Sequence, residues 1–105
     1  MKAYWIAVYK DLKNPENIKR YGEKATPAIK KYNGTILARG GKVETIEGIP
    51  SPRTVLIQFQ TMEDAIQCYN SPEYQEAMKI GKGEFNRHIQ IVNIYSYVLC
   101  CCIIR

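Results

Sequence analysis

Apolar residues along the chain fall into runs that predict four β-strands. Residues 3–9 (AYWIAVY), 53–59 (RTVLIQF) and 88–95 (HIQIVNIY) are rich in β-branched and aromatic side chains, and residues 34–38 (GTILA) form a shorter run. Apolar side chains occupy both alternating positions of the long runs, which predicts a sheet that is covered on both faces. The pair Gly40-Gly41 predicts a bend, after which the second strand is expected to resume over residues 42–47.

Helical spacing of apolar residues appears between the strands. Asn14-Pro15-Glu16 is typical of a helix start, and Pro27 is expected to bend or break the helix that follows. Thr61 with Asp64 three residues later is typical of a capping box, and Ser71-Pro72-Glu73 restarts this second helix. The order of elements predicts a ferredoxin-like βαββαβ fold of the α+β class. Its four-stranded antiparallel sheet would carry both helices on one face.

Length and charge narrow the class of protein. A chain of 105 residues is expected to form one domain, here residues 1–96, with residues 97–105 as an extra strand or a disordered tail. The net charge of +5 is spread over helix-like polar positions, which favours solvated faces over a polyanion site. The first ten residues are too short and polar for a secretory signal, and no apolar run is long enough to span a membrane. We therefore expect a cytoplasmic protein without a membrane partner.

The four cysteines match neither a disulfide framework nor a paired metal motif. Cys68 lies in the second predicted helix and is expected to be a small buried apolar residue, and Cys100, Cys101 and Cys102 are contiguous in the tail. Contiguous thiolates are poorly placed to surround one tetrahedral ion. The sequence predicts reduced thiols, no metal site, and no assigned role for the three tail cysteines.

Several segments resemble a known family. The strings LARGG (37–41), IEG (46–48), PR (52–53) and YNSPEYQ (69–75) are similar to the DUF1330 family, a family of domains of unknown function, and the resemblance runs from about residue 2 to residue 95. It implies a dimeric α/β barrel, in which two ferredoxin-like sheets pack face to face. The two-faced apolarity of the strands agrees with such a homodimer. Gln58 stands where family members often have Glu, and a neutral amide cannot act as a general base.

Two arginines are candidate ligand-binding residues. Arg39 and Arg53 each lie at the end of a predicted strand, beside turn residues, and within segments that carry the resemblance. A guanidinium there would bind a carboxylate, enolate or phenolate through two parallel hydrogen bonds. The alternative is a salt bridge to Glu44, Glu47 or Glu73 that holds the loop, and both interpretations stay open.

Aromatic residues and the single histidine complete the candidates. Five aromatic side chains are candidates for the wall of an apolar pocket, with core packing as the alternative: Trp5, Tyr4, Tyr9, Tyr69 and Tyr74. His88, at the start of the last predicted strand, is a candidate because imidazole exchanges protons near neutral pH, with a surface or dimer-edge position as the alternative.

Two classes of function follow from these candidates. One is a small-molecule pocket between sheet and helices, used for cofactor-independent chemistry on an aromatic or enolisable substrate. The other is a non-catalytic ligand-binding or structural dimer, and the sequence does not decide between enzyme and binding protein. RNA binding is disfavoured, because Val55 and Ile57 occupy the strand positions where base-stacking aromatics would stand. No cofactor is expected in either case.

Overall fold

The computed structural model describes residues 1–95, and its elements follow the predicted order. They are β1 (Ala3–Leu12), α1 (Pro15–Lys31), β2 (Thr35–Ala38), β3 (Arg53–Phe59), α2 (Met62–Asn70), α3 (Pro72–Gly81) and β4 (Phe85–Asn93). The second predicted helix is thus two consecutive helices, α2 and α3. The predicted tail, with its three cysteines, lies outside the described residues.

The sheet has the strand order β2-β3-β1-β4. β1 lies in the middle and pairs antiparallel with both β3 and β4, while β2 pairs antiparallel with β3 at one edge. The ferredoxin-like α+β fold, with helices packed on one face of the sheet, is confirmed.

The predicted helix starts are confirmed by their capping contacts. The side chain of Asn14 accepts hydrogen bonds from the backbone N–H groups of Glu16 and Asn17. Thr61 accepts from the backbone N–H of Asp64, and Ser71 accepts from that of Tyr74. Each cap satisfies donors that the first turn of a helix cannot pair internally. Ser71 both ends α2 and begins α3, and so sets the direction in which Tyr74 enters the core.

A helix break at Pro27 and a resumed second strand are not found. α1 continues through Pro27, because one missing backbone donor is offset by the burial of Ala25, Ala28 and Ile29 against the core. No strand resumes over residues 42–47; the chain from Arg39 to Pro52 is a loop. Strand β2 ends at a register shift in its pairing with β3, and Gly40 then turns the chain with φ +76°.

The two faces of the sheet differ in what covers them. On the helix face, Trp5, Ala7 and Tyr9 of β1 are buried together with alternate residues of β3. On the other face, Val8 is 36% and Val92 48% exposed. The helix face therefore holds the core, whereas among residues 1–95 no element covers the second face.

Candidate functional site

Strand register places three functional side chains in one row across the sheet. Tyr9 on β1 pairs with Arg53 on β3 and with Arg87 on β4. Directly paired residues project to the same face of an antiparallel sheet. Tyr9 is 3% exposed on the helix face, so both guanidinium groups extend under the helices on either side of its ring. Their carbons Cζ lie 5.8 Å (Arg53) and 5.5 Å (Arg87) from the ring centroid.

Arg87 is the centre of a tyrosine cluster, which we define as Arg87 with Tyr9, Tyr21 and Tyr74. Its Nη1 donates hydrogen bonds to the hydroxyl of Tyr9 at 2.8 Å and to that of Tyr21 at 3.0 Å. Its Nη2 donates to the hydroxyl of Tyr74 at 2.9 Å and to the sulfur of Met78 at 3.2 Å. The hydroxyls of Tyr21 and Tyr74 are also hydrogen-bonded to each other. The planar guanidinium is therefore held in one orientation by β1, α1 and α3 together.

A close glycine contact fixes the ring beneath the guanidinium. The ring centroid of Phe85 lies 4.4 Å from the Cζ of Arg87, a cation–π contact. A Cβ at Gly81 would lie 2.6 Å from that ring and 3.1 Å from the ring of Tyr21. Only glycine leaves room here, so the end of α3 sets the position of Phe85 and, through it, the position of Arg87.

The tyrosine cluster carries a positive charge that has no carboxylate partner among the described residues. Burial raises the pKa of Tyr21 and of Tyr74, and the opposing effect of the Arg87 charge does not cancel it. Both phenols therefore stay neutral near pH 7, while arginine stays protonated. In residues 1–95, the salt bridges join Lys31 to Glu73, Lys42 to Glu44, and Lys79 to Glu76, so none includes Arg87.

Beside the tyrosine cluster lies a pocket of about 570 Å³, which we call the β4 pocket. Arg87 is the charged residue among the described side chains that line it. Polar groups line it at Asn70, Asn86 and Gln90. The remaining wall is aromatic and aliphatic: Trp5, Ile66, Tyr69, Met78, Phe85, Ile89 and Ile91. An apolar pocket with one fixed cation suits a ligand with an apolar body and one anionic group.

Three of the predicted site residues meet at this pocket. Trp5 and Tyr69 line it, with ring centroids 5.9 Å apart. Tyr74 is fully buried behind them; its ring lies 5.3 Å from that of Trp5, and its hydroxyl accepts from Arg87. Trp5 and Tyr74 are thus core residues that also support the pocket.

The two predicted arginines lie elsewhere. Arg39 and Arg53 line a different cleft of about 590 Å³, which we call the α1 cleft, beside the loop between β2 and β3. Nη1 of Arg39 donates to Oγ1 of Thr26 at 2.8 Å. The alternative, a salt bridge from either arginine to Glu44, Glu47 or Glu73, is not formed among the described residues. Glu73 pairs with Lys31 instead, and Glu44 lies 3.7 Å from Lys42.

His88 and Gln58 lie on the opposite face of the sheet. His88 pairs with Val8, is exposed, and its Nε2 lies 3.0 Å from the amide oxygen of Gln90. Gln58 accepts a hydrogen bond from the hydroxyl of Tyr4 at 3.3 Å. Neither side chain contributes to the β4 pocket. Within residues 1–95, no three His, Cys, Asp or Glu side chains group as a metal site.

Sequence reasoning missed Arg87 and the role of Tyr21. The strand prediction began at residue 88, three positions after the observed start at Phe85, and so left Arg87 outside the sheet. The signal was present in the alternation of the strand: Arg87 precedes Ile89 and Ile91 by two and four residues, which places all three on one face. Tyr21 was part of a helical apolar stripe, which does not distinguish a core ring from one whose hydroxyl meets a buried cation.

Solved structures share this fold at low sequence identity. A protein of unknown function from Rhodopseudomonas palustris is 12% identical, with a TM-score of 0.71 over 90% of this chain and 83% of that one. The cofactor-independent oxygenase SnoaB from Streptomyces nogalater is 4% identical, with a TM-score of 0.62 over 92% and 96%. A dimeric ferredoxin-like protein of unknown function from Bacteroides fragilis is 15% identical, with a TM-score of 0.54 over 89% and 96%. These likenesses show the fold.

Sequence comparison identifies the family of the chain, which the similar structures do not. No curated protein matches it. Residues 2–95 match the family described as a domain of unknown function, DUF1330, and the resemblance carried by the LARGG and YNSPEYQ strings is thereby confirmed. None of the three described helices has the length and apolarity that a membrane crossing needs. The chain belongs to the DUF1330 family.

Proposed function

We propose that the β4 pocket binds a small, planar organic anion, such as the phenolate, enolate or carboxylate form of an aromatic compound. One observation carries the proposal: Arg87 is fixed at the pocket wall by neutral partners and has no carboxylate within ion-pair distance in residues 1–95. A buried charge is costly when it has no counter-ion. A bound anion supplies that counter-ion.

The contacts of Arg87 also indicate where the anion binds. Three of its four Nη hydrogen bonds go to phenol oxygens, and the fourth goes to the sulfur of Met78, a weak acceptor that itself lines the pocket. A ligand oxygen in place of that sulfur gains a charge-assisted hydrogen bond. The tyrosine hydroxyls already hold the guanidinium in place, so ligand binding costs little side-chain entropy at Arg87.

The aromatic wall selects the body of the ligand. Trp5, Tyr69 and Phe85 present rings to the pocket, and Tyr69 is 37% exposed. Aromatic rings pack well against planar apolar groups. The volume of about 570 Å³ lies within the range typical of small-molecule sites. A flat, mainly apolar anion therefore fits the site better than a sugar or a nucleotide.

Chemistry on such a ligand would depend on charge stabilisation. The lining side chains include no carboxylate, histidine or thiol in the part of the chain that the structure describes, so the wall provides no ordinary general base. Arg87 instead favours the ionised form of a phenol or enol. That effect serves cofactor-independent chemistry, the activity named for the oxygenase SnoaB, and equally serves simple binding. The proposed function is therefore ligand binding, with catalysis of this type as its extension.

Titration of a chromophoric ligand tests the proposal. 4-Nitrophenol changes its absorption when it ionises, so its pKa in the bound state is read directly from spectra. We expect that pKa to fall by about one pH unit or more on binding, because the charge of Arg87 stabilises the phenolate. Arg87→Gln should abolish the fall, and Arg87→Lys, which keeps the charge but loses the planar fork, should retain part of it.

Arg20→Gln is the matched control. Arg20 is an exposed arginine on α1 that does not line the β4 pocket, and its loss changes the net charge equally. It should leave the pKa of bound 4-nitrophenol unchanged. Absence of saturable binding, or an equal change in both glutamine variants, contradicts an anion site at Arg87.

We further propose that a second copy of the chain covers the open face of the sheet. Tyr4, Ile6 and Leu56 are only partly buried there, beside the exposed Val8 and Val92. An isologous dimer buries this patch twice, and the related protein from Bacteroides fragilis is described as dimeric. Light scattering should give the mass of a dimer, and Ile6→Glu should yield a folded monomer. Lys82→Glu on the helix side is the control and should stay dimeric; a monomeric unmodified chain contradicts the proposal.

A further inference from the structure

We propose that the α1 cleft is a second anion site, which takes a small dianion of the phosphate-monoester type with an apolar group attached. It is lined by Arg39 and Arg53, opens beside α1, and is distinct from the β4 pocket. The proposal stands independently of the function proposed for Arg87.

An unpartnered donor in Arg53 indicates a missing ligand atom. Its Nε is buried and has no hydrogen-bond partner among the described residues. Its guanidinium lies over the ring of Tyr9, which offers a π face. A buried donor without an acceptor is costly, and the cost is larger for a charged group. An anion oxygen is the partner that would remove it.

Positive charge in the cleft sets the charge of the ligand. Arg39, Lys13 and Lys19 line the cleft with Arg53, and Glu23 is the carboxylate among its described lining residues. These four cationic side chains outnumber the one carboxylate, so the cleft can neutralise a ligand that carries two negative charges. Arg39 is partly oriented already, because its Nη1 donates to Thr26.

Part of the cleft wall is apolar. Leu12, Pro15 and Ile18 line it beside the charged residues, within a volume of about 590 Å³. Free phosphate would leave this surface in contact with water, whereas a phosphate monoester with an aromatic or aliphatic group would cover it. Phenyl phosphate therefore should bind more tightly than inorganic phosphate.

The α1 cleft and the β4 pocket are separate, although Arg53 of the cleft and Arg87 of the pocket both contact the ring of Tyr9. The Tyr9 ring lies between the two guanidinium groups, and a void of about 40 Å³ is bordered by Arg39, Arg53 and Arg87. The void holds about one water molecule and no ligand. A ligand in the α1 cleft therefore reaches Arg53 and does not reach Arg87.

Arginine side-chain NMR tests the proposal on the intact chain. The ¹H–¹⁵N signal of Arg53 Nε is assigned by its loss in Arg53→Gln and followed during titration with phenyl phosphate and, separately, inorganic phosphate. We expect a saturable shift of this signal with both probes, and a lower Kd for phenyl phosphate. Arg53→Gln and Arg39→Gln should each raise that Kd about tenfold, as the loss of a charge-assisted hydrogen bond predicts.

Two controls make the result decisive. Arg20→Gln removes an equal charge from another part of α1 and should change the Kd less than about twofold, as expected for an exposed charge outside the cleft. Arg87→Gln should leave the Arg53 shift intact, which separates this site from the proposed function of the β4 pocket. The proposal is overturned by an Arg53 signal that does not move at millimolar phenyl phosphate, or by equal weakening in Arg20→Gln and Arg53→Gln.

Discussion

Arg53 and Arg87 occupy mirror positions in the sheet and have opposite surroundings. Each pairs across a strand with Tyr9, and their Cζ atoms lie 5.8 and 5.5 Å from its ring centroid. The Nη atoms of Arg87 make four hydrogen bonds to neighbouring side chains, whereas Nε of Arg53 is buried without a partner in the described chain. Two arginines at equivalent register positions therefore differ in their hydrogen-bond partners.

The difference comes from the helices above the row. α1 and α3 place Tyr21 and Tyr74 over Arg87, so that side chain is held in one position before any ligand arrives. Over Arg53 lie the α1 cleft and the loop after β2, where Gly40 approaches Nη1. Arg87 is thus held in one orientation by its neighbours, and Arg53 has a buried donor without an acceptor in residues 1–95.

Removal of the shared ring should have the largest effect. Tyr9→Ala deletes a buried aromatic side chain that contacts both guanidinium groups and Phe85, at a ring distance of 5.4 Å. We expect the free energy of unfolding to fall by about 3–5 kcal/mol, as for other large aromatic truncations. Chemical denaturation measures the loss. Tyr9→Phe keeps the ring, so it should lose only about 1 kcal/mol for one hydrogen bond. If Tyr9→Phe lost as much stability as Tyr9→Ala, the hydroxyl and not the ring would be what connects the Arg53 side to the Arg87 side.

Alkaline pH should weaken the contacts of Tyr21 and Tyr74 around Arg87. Tyr21 and Tyr74 have pKa values raised by burial above the ordinary 10.0. Below pH 10 both folded and unfolded chains keep these protons, so the stabilisation is fully present. Above that pH the unfolded chain loses them first, and the free energy of unfolding should fall by about 1.4 kcal/mol per pH unit for each phenol.

Two variants separate the contributions to that pH dependence. Tyr74→Phe should remove the share of Tyr74, and its stability curve should be flatter at alkaline pH. Burial also raises the pKa of the Cys68 thiol from 9.0 to about 12, so loss of stability should begin near pH 9, and Cys68→Ala should delay it. Parallel curves for the unmodified chain and Tyr74→Phe would contradict a neutral, buried Tyr74.

A pair of glycine substitutions should have opposite signs. Gly81→Ala places a Cβ 2.6 Å from the ring of Phe85 and should cost about 1–3 kcal/mol, while displacing the ring that supports Arg87. Gly22, in the middle of α1, has open space where a Cβ would lie, with no atom within 4 Å, so Gly22→Ala should stabilise by about 0.4–1 kcal/mol. Thermal unfolding measures both. Weaker 4-nitrophenol binding in Gly81→Ala alone would show that Phe85 positions the anchor.

The fold was predictable because its signals are local. Helix caps at Asn14, Thr61 and Ser71 and strand-like runs each depend on a few neighbouring residues. The errors arise where tertiary packing overrides local preference. Pro27 is tolerated because Ala25, Ala28 and Ile29 around it are buried against the core. The second strand stops early because the pairing of β2 with β3 ends after a register shift between Ile36 and Ala38.

The site was predictable only in part, because it depends on register. Trp5 and Tyr69 follow from apolar pattern, but the meeting of Arg87 with Tyr21 and Tyr74 requires the angle at which α1 and α3 cross the sheet. The predicted start of β4 at residue 88 lies three residues after the observed start at Phe85, which left Arg87 outside the strand. His88, a candidate as the single histidine, faces the other side of the sheet. Turn residues and family strings pointed to Arg39 and Arg53 instead.

The smallest expected change in stability belongs to Arg53. Arg53→Met retains length and apolar contact with Tyr9, and it removes a buried donor that has no partner in residues 1–95. We expect the free energy of unfolding to stay within about 0.5 kcal/mol, or to rise. Arg87→Met breaks four hydrogen bonds and should lose about 1–3 kcal/mol in the same denaturation experiment. If Arg53→Met were the more harmful of the two, Arg53 would be a structural residue and the α1 cleft would need no ligand to satisfy it.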